Sequence, residues 1–233
     1  MIDSIMIGAR GWSDVIPGDD FYPEELPPEW RFSFYSNNLR SVLIPRELWP
    51  ATSRTDVSEW LDDCDPAFRF VLELPAALSY PLDRAQSLQE LDSFLELCEP
   101  IAPRVAGYLL RVDSDARVEP EWLETFANGL VDIAPLCVDL PQGPWRSEPV
   151  LAALTRQGAG LCWHCAAEPE PHAGGHLRLA LAPPAGPRVT RRYLERLVQW
   201  QDQDAQAGLF FTNGAGAPKA AYEARLIAEL MGV

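Results

Sequence analysis

Near its amino terminus the sequence reads Ile5-Met6-Ile7-Gly8-Ala9-Arg10-Gly11-Trp12, an apolar run followed by a segment with glycine and tryptophan. The string Phe21-Tyr22-Pro23 comes shortly after it. The apolar run predicts a β-strand over residues 5–9. Glycine at the end of a strand is needed either for a positive φ or for close approach of another backbone segment. The stretch therefore predicts a first strand that ends at such a glycine, with an exposed aromatic residue just beyond it.

Beyond this strand, short apolar segments alternate with helical patterns. Eight strands are predicted, at residues 5–9, 41–44, 70–74, 107–112, 137–140, 160–163, 177–181 and 208–212. Most are continuous apolar runs, which are typical of parallel strands buried on both faces. No helical pattern follows the sixth strand, where residues 166–175 are rich in proline and glycine. The alternation predicts an α/β fold with a parallel sheet in one domain, residues 1–233, irregular around the sixth helix.

The composition argues against nucleic acid and membrane partners. The net charge is −15 at pH 7, whereas phosphate backbones and anionic lipid surfaces attract Lys and Arg. We find no basic leader with a long apolar core and no apolar run of membrane-spanning length, so a cytoplasmic protein is expected. The five cysteines are expected to be reduced and mostly buried, as in cytosolic proteins. Cationic partners or plain solubility fit this composition better. The partners expected from the rest of the sequence are a small molecule, a phosphate-containing ligand or another protein.

The two opening strings resemble the start of the YecE-like family, also called domain of unknown function 72. The resemblance implies a single (β/α)8 barrel of the TIM type, in which functional residues lie at the carboxyl ends of the strands. It implies no particular reaction, because the activity of the family is not settled.

The chain departs from the family pattern at most strand ends. The second strand of the family continues as Val-Glu-x-Asn, whereas this chain has Val42-Leu43-Ile44-Pro45. The Tyr-x-Arg-x-His-Gly of the seventh strand has no counterpart in Arg178-Leu179-Ala180-Leu181-Ala182-Pro183. Catalysis needs positioned donors and titratable groups. The losses predict an eroded site and a non-catalytic binding module, a pseudoenzyme. The alternative is a repurposed site built from the polar residues that remain, namely Arg10, Glu73, Arg111, Asp113, Asp139, His164 and Asn213.

The expected ligand-binding residues follow from this placement. Three tryptophans near strand ends would stack on a ligand, two arginines would contact its anionic groups and an asparagine would orient it. A glycine-rich turn before the last helix, with the only lysine of the chain, would hold phosphate. Alternatively, the tryptophans are loop anchors that pack over the end of the barrel, and the glycine-rich segment is an ordinary turn between strand and helix. The residues are Arg10, Trp12, Trp49, Arg111, Trp145, Asn213, Gly214, Gly216 and Lys219.

A hydrolase acting on a small phosphoester or glycoside is the second hypothesis. Glu73 or Asp139 would then be the catalytic acid or base. This role requires a carboxyl group with a raised pKa that faces another polar group across the barrel. No Gly-x-Ser-x-Gly elbow, His-Glu-x-x-His or Walker A motif is present, and no cofactor is expected.

A cysteine and histidine cluster suggests a metal site. Cys162-Trp163-His164-Cys165 is followed by His172 and His176, and these are the only histidines of the chain. In a strand, Cys162 and Cys165 would face opposite sides because side chains alternate. The set that stays open is therefore His164, Cys165, His172 and His176, which suits zinc. The alternative is a buried strand followed by a polar surface loop.

Overall fold

The computed structural model describes residues 5–13, 21–80, 84–117, 119–130, 133–167, 174–201, 203, 205–212 and 214–233. Its strands agree closely with the predicted positions, except that the sixth is divided into two short pieces. The strands are β1 (Met6–Ala9), β2 (Ser41–Ile44), β3 (Arg69–Glu73), β4 (Val105–Arg111), β5 (Leu136–Asp139), β6 (Gly160–Leu161), β7 (Trp163–His164), β8 (Leu177–Ala182) and β9 (Gln206–Phe211).

Helices connect most of these strands. They are α1 (Arg31–Asn38), α2 (Arg54–Asp62), α3 (Arg84–Cys98), α4 (Pro120–Leu130), α5 (Glu148–Arg156), α6 (Pro187–Gln201) and α7 (Ala217–Met231). Between β7 and β8, the described residues 165–167 and 174–176 contain no helix, in agreement with the prediction. Over the part of the chain that is described, no helix combines the length and the apolar character needed to cross a bilayer.

All strand pairs are parallel, as the apolar runs predict. The strands form a four-stranded sheet in the order β1-β9-β8-β7 and a five-stranded sheet in the order β2-β3-β4-β5-β6. The sheets meet at β1 and β2, where Gly11 N–H donates to the Leu43 carbonyl (2.9 Å). They meet again at residues 160–164, because β6 pairs with β5 while β7 pairs with β8. The result is the predicted α/β, TIM-barrel-like arrangement.

The opening stretch uses its two glycines for different reasons. Gly11 has a positive φ of +82°, where a side chain would be strained. Gly8 is required for close approach, because a Cβ there would lie 2.9 Å from the Ser41 carbonyl carbon and closer still to its oxygen. The stretch thereby ends β1 with both uses of glycine that the sequence predicted, and the close approach at Gly8 packs β1 against β2.

Side chains that alternate along the strands build two apolar layers. An inner cluster includes Leu43, Val71, Leu109, Cys137 and Cys162, whereas the larger outer cluster lies between the strands and the helices. Side chains alternate along a strand, so a residue two positions after an inward-facing residue also faces inward. This applies to the residues that follow Val71, Leu109, Cys137 and Cys162 by two positions. Those next residues are Glu73, Arg111, Asp139 and His164. Polar groups therefore cap the apolar interior at the carboxyl ends of the strands.

Candidate functional site

A fully buried carboxylate, that of Glu73 at the end of β3, anchors this polar layer. Arg10 binds both of its oxygens, through Nε to Oε1 and through a terminal nitrogen to Oε2 (2.7 Å). The backbone N–H of Arg46 also donates to Oε2 (3.2 Å). Burial by itself would lower the pKa of Arg10, but Glu73 and Glu47 outweigh it and raise that pKa. Glu73 therefore holds the ends of β1 and β3 and the loop after β2 together.

Arg111, at the end of β4, connects Glu73 to the next carboxylate of the layer. Its Nε donates to Asp139 Oδ2 (3.2 Å), and its terminal nitrogen lies 3.5 Å from Glu73 Oε1. Residues 111 and 139 are direct partners in the pairing of β4 with β5. Strand register thus places the guanidinium of Arg111 between the carboxyl groups of Glu73 and Asp139.

Asp139 is also hydrogen-bonded to His164. Asp139 Oδ1 and His164 Nε2 are 2.8 Å apart, and the His164 side chain is 38% exposed. Burial by itself would raise the pKa of Asp139, but the hydrogen bond and charge of His164, together with Arg111, lower that pKa. The carboxylate therefore stays ionised, which does not fit the raised pKa that the acid role of Asp139 requires.

Around this layer, the loop that follows β2 adds charged residues that sequence reasoning missed. Arg46 pairs with Asp113 (3.0 Å) and donates to the hydroxyl of Ser79. Glu47 forms a second ion pair with Arg10 and is 59% exposed. Both residues directly follow Pro45, so searching for charges just after each strand would have found them.

Beside this layer a cavity of about 310 Å³ opens at the carboxyl ends of β4, β5 and β7. Two arginines, two aspartates and a histidine contribute its charged and titratable groups. The cavity is lined by Arg111, Val112, Asp113, Ser114, Asp139, Leu140, Pro141, Gln142, Arg146, His164 and Ala167. Of the expected polar site residues, Arg111, Asp113, Asp139 and His164 are thus brought together at one opening, while Glu73 lies behind them.

The stacking role expected of Trp49 and Trp145 does not fit their placement. They are only 6% and 2% exposed. Trp49 Nε1 donates to the Glu73 carbonyl (2.6 Å), and Trp145 Nε1 donates to the Ala116 carbonyl (3.0 Å). Trp12 is half-buried and packs against Phe32 on α1, with ring centroids 4.7 Å apart. Trp49 and Trp145 are therefore buried loop anchors, whereas stacking by Trp12 stays a prediction.

We expect Trp49→Phe to lower the free energy of unfolding by about 1–2 kcal/mol, because it loses one buried hydrogen bond and some volume. The matched control is Trp30→Phe, since Trp30 is 64% exposed, and we expect it to change stability by less than about 0.5 kcal/mol. Urea denaturation measures both. A Trp49→Phe protein with unchanged stability and weakened ligand binding would restore the stacking hypothesis.

The glycine-rich turn forms, but its lysine points elsewhere. Gly214–Gly216 is a short 3-10 turn that leads from β9 into α7. Lys219 lines an outer groove together with Phe21, Asn38 and Tyr222. Asn213 lies outside the described residues. Phosphate binding by Gly214 and Gly216 stays a prediction, whereas Lys219 does not line the cavity.

The expected metal set of His164, Cys165, His172 and His176 does not assemble. His176 N–H donates to the Gly158 carbonyl (2.9 Å) at the amino end of β6. His164 pairs with Leu181 on β8, so about 16 Å of strand separates the two histidines at ~3.3 Å per residue. Cys165 packs into the outer cluster, and His172 lies outside the described residues. His164 thus lies at the carboxyl end of the sheet and His176 at its amino end, which their spacing in sequence does not reveal.

A different set of metal-binding groups meets at the inner face. Asp139, Cys162 and His164 each offer a ligand atom, and these atoms all lie within 4.8 Å of one another. Contact with Cys137, burial and the charge of Asp139 raise the pKa of the Cys162 thiol well above its usual value. Side-chain alternation places Cys162 opposite Cys165, and for that reason the set predicted from the sequence omits Cys162. The same alternation places Cys162 and His164 on one face.

Comparisons with known proteins agree with the fold. A family model described as "Protein of unknown function DUF72" matches residues 6–233. The chain is similar to a DUF72 family protein of Enterococcus faecalis V583, with 15% identity, a TM-score of 0.72 and coverage of 98% of both chains. A DUF72 family protein of Thermotoga maritima MSB8 gives 14% identity, a TM-score of 0.72 and coverage of 99% of this chain and 100% of that one.

More distant likeness extends to an enzyme. D-psicose 3-epimerase from Clostridium cellulolyticum H10 gives 9% identity and a TM-score of 0.54, covering 97% of this chain and 98% of that one. Likeness at this level of identity concerns the fold alone. Among curated proteins, no sequence matches the chain.

Proposed function

The chain belongs to the DUF72 family of proteins of unknown function, and we propose that it is a non-catalytic module that binds a small molecule carrying a carboxylate or phosphate group. The observation that carries this proposal is the cavity in which Arg111, Arg146 and His164 meet at the carboxyl ends of the strands. Guanidinium groups bind carboxylate and phosphate oxygens in pairs.

The size and position of the cavity support a small ligand. Its volume of about 310 Å³ lies at the lower end of the range of ligand pockets. Ligands of TIM-type barrels bind at this end, where the strands hold side chains in place. Arg111 engages its acidic partners through Nε and one terminal nitrogen, and a guanidinium has five N–H donors. Donors of Arg111 therefore remain for a ligand.

The pairing of the carboxylates favours binding over catalysis. Glu73 is fully buried behind Arg10, so it has no path to a bound molecule. Asp139 has a lowered pKa beside His164 and Arg111, so it does not supply a proton. Neither carboxyl group suits the general acid that glycoside or phosphoester hydrolysis needs.

We expect inorganic phosphate or succinate to raise the melting temperature of the wild-type protein. A probe at about 100 times its Kd stabilises a folded protein by about 2.7 kcal/mol. Arg146→Gln should reduce this stabilisation strongly. Arg156→Gln is the control, because Arg156 forms an exposed ion pair with Glu124 at the last turn of α5, away from the cavity. Calorimetric titration measures Kd. A melting temperature that neither probe raises at millimolar concentration would contradict the proposal.

A hydrolase is the second candidate, and one observation favours it. His164 lies on the rim of the cavity with Asp139 2.8 Å away, an arrangement that orients a histidine as general base. The proposed binding function predicts no turnover of p-nitrophenyl phosphate or of p-nitrophenyl glycosides. Turnover that is lost in His164→Gln and kept in His176→Gln would instead support the hydrolase.

A further inference from the structure

The inner face of two neighbouring strands brings together three different metal-binding groups. Cys162 N–H donates to the Val138 carbonyl (2.9 Å), which sets Cys162 beside Asp139. His164 is two residues further on, so its side chain shares the inward face with Cys162. The ligand atoms of all three residues lie within 4.8 Å of one another. We propose that Asp139, Cys162 and His164 form a binding site for a zinc ion.

The distances suit zinc after a small adjustment. Zinc bonds of about 2.0–2.3 Å in a tetrahedral site place neighbouring ligand atoms about 3.4–3.7 Å apart. The observed atoms need to approach by at most about 1 Å, which small side-chain rotations supply. His164 Nε2 and Asp139 Oδ1 are 2.8 Å apart, so this hydrogen-bonded pair instead separates slightly to admit the ion. On binding, the ring proton moves to Nδ1, and Nε2 and Oδ1 both turn to the metal.

The donor types select the metal. A thiolate with an imidazole favours zinc and other borderline or soft cations, whereas Mg²⁺ and Ca²⁺ prefer all-oxygen sites. Binding displaces the proton of the Cys162 thiol to solvent, as zinc–thiolate sites require. Three protein ligands leave a fourth position, which is the arrangement of zinc sites that also bind water or a small molecule.

The surroundings provide support and access. Arg111 Nε holds Asp139 Oδ2 (3.2 Å), which leaves Oδ1 for the metal and fixes the carboxylate, the usual task of residues just outside a metal site. Asp139 and His164 line the cavity, so an ion can enter from solvent. The three ligands lie on or between β5, β6 and β7, whose backbone hydrogen bonds keep them in register. The inference does not depend on the proposed binding of an anion, since the ion and the anion are measured separately.

Cobalt titration of the full chain tests the site, because tetrahedral cobalt with a thiolate ligand gives intense visible bands and a sulfur charge-transfer band. We expect one Co²⁺ per chain with both signals, displaced by one equivalent of Zn²⁺. Cys162→Ser should abolish the charge-transfer band, and His164→Gln should weaken cobalt binding by at least about tenfold, because loss of even an outer-shell partner costs about 10–100-fold. Cys165→Ser is the matched control, a thiol three residues away in the outer cluster, and His176→Gln is a control histidine at the other end of the sheet.

Two outcomes would overturn the site. One is a wild-type protein that binds cobalt without a thiolate band, as surface carboxylates would. The other is a band that disappears in Cys165→Ser and persists in Cys162→Ser. If Cys162→Ser does not fold, His164→Gln decides, because His164 is 38% exposed at the rim and its replacement leaves the apolar interior intact. Unchanged cobalt affinity in that variant would reject the site.

Discussion

Glu73→Gln is expected to lower the free energy of unfolding by about 3 kcal/mol, because removing one partner of a buried ion pair leaves the other without compensation. The carboxylate is fully buried, whereas Arg10 and Arg111 are 21% and 24% exposed. Their partial hydration keeps the cost at the lower end of the range for buried pairs. Glutamine has nearly the same shape, so the loss reports charge and hydrogen bonding rather than a cavity.

The chain offers a matched control in Glu47→Gln. Glu47 pairs with the same Arg10 but is 59% exposed, and exposed pairs contribute about 0–1 kcal/mol. Urea denaturation of both variants compares the free energy of unfolding lost when Arg10 loses its buried partner with that lost when it loses its exposed partner. Equal losses in the two variants would mean that Glu73 does not hold the strand ends together.

Gly8→Ala is expected to have a comparable or larger effect, about 3 kcal/mol or more, because overpacking against backbone cannot be relieved by a rotamer change. The added Cβ would lie 2.9 Å from the carbonyl carbon of Ser41 and 3.0 Å from Oη of Tyr35. That hydroxyl accepts from Ala9 N–H and donates to the Ser41 carbonyl, both at 2.8 Å. The substitution therefore disturbs the junction between β1 and β2.

Two further alanine variants separate the possible causes. Gly11→Ala tests the positive φ alone and should cost about 1–2 kcal/mol. Gly186→Ala should change little, because nothing lies within 4 Å of the added Cβ. Thermal denaturation ranks the three. A Gly8→Ala protein as stable as Gly186→Ala would show that β1 and β2 are less closely packed than described.

Much of the fold could be predicted because it depends on local periodicity. The strands appear where continuous apolar runs occur, and prolines and glycines predicted that the described residues between β7 and β8 contain no helix. The division of the sixth strand was not evident. Residues 160–164 pair with β5 in their first half and with β8 in their second half. A local apolar pattern does not specify which strands will pair with it.

The residues of the candidate site could be predicted from the sequence, but the ion pairs and hydrogen bonds among them could not. Arg111, Asp139 and His164 follow inner apolar residues at strand ends, so alternation along each strand identifies them. Which acid neutralises which arginine depends on strand register, such as the pairing of residues 111 and 139. The burial of Trp49 in the outer cluster is accompanied by a hydrogen bond to a carbonyl 24 residues away in sequence.

The amino-acid sequence on its own therefore specified the parallel strands, the glycine-dependent end of the first strand, and the polar residues at the strand ends. These features follow from backbone sterics and from side-chain alternation, which act between near neighbours in the chain. Tertiary packing was needed to pair Asp139 with His164 and Arg111, to bury Glu73, and to separate His164 from His176. Those outcomes depend on which strands lie side by side and on which end of the sheet each loop reaches, and long-range contacts set both.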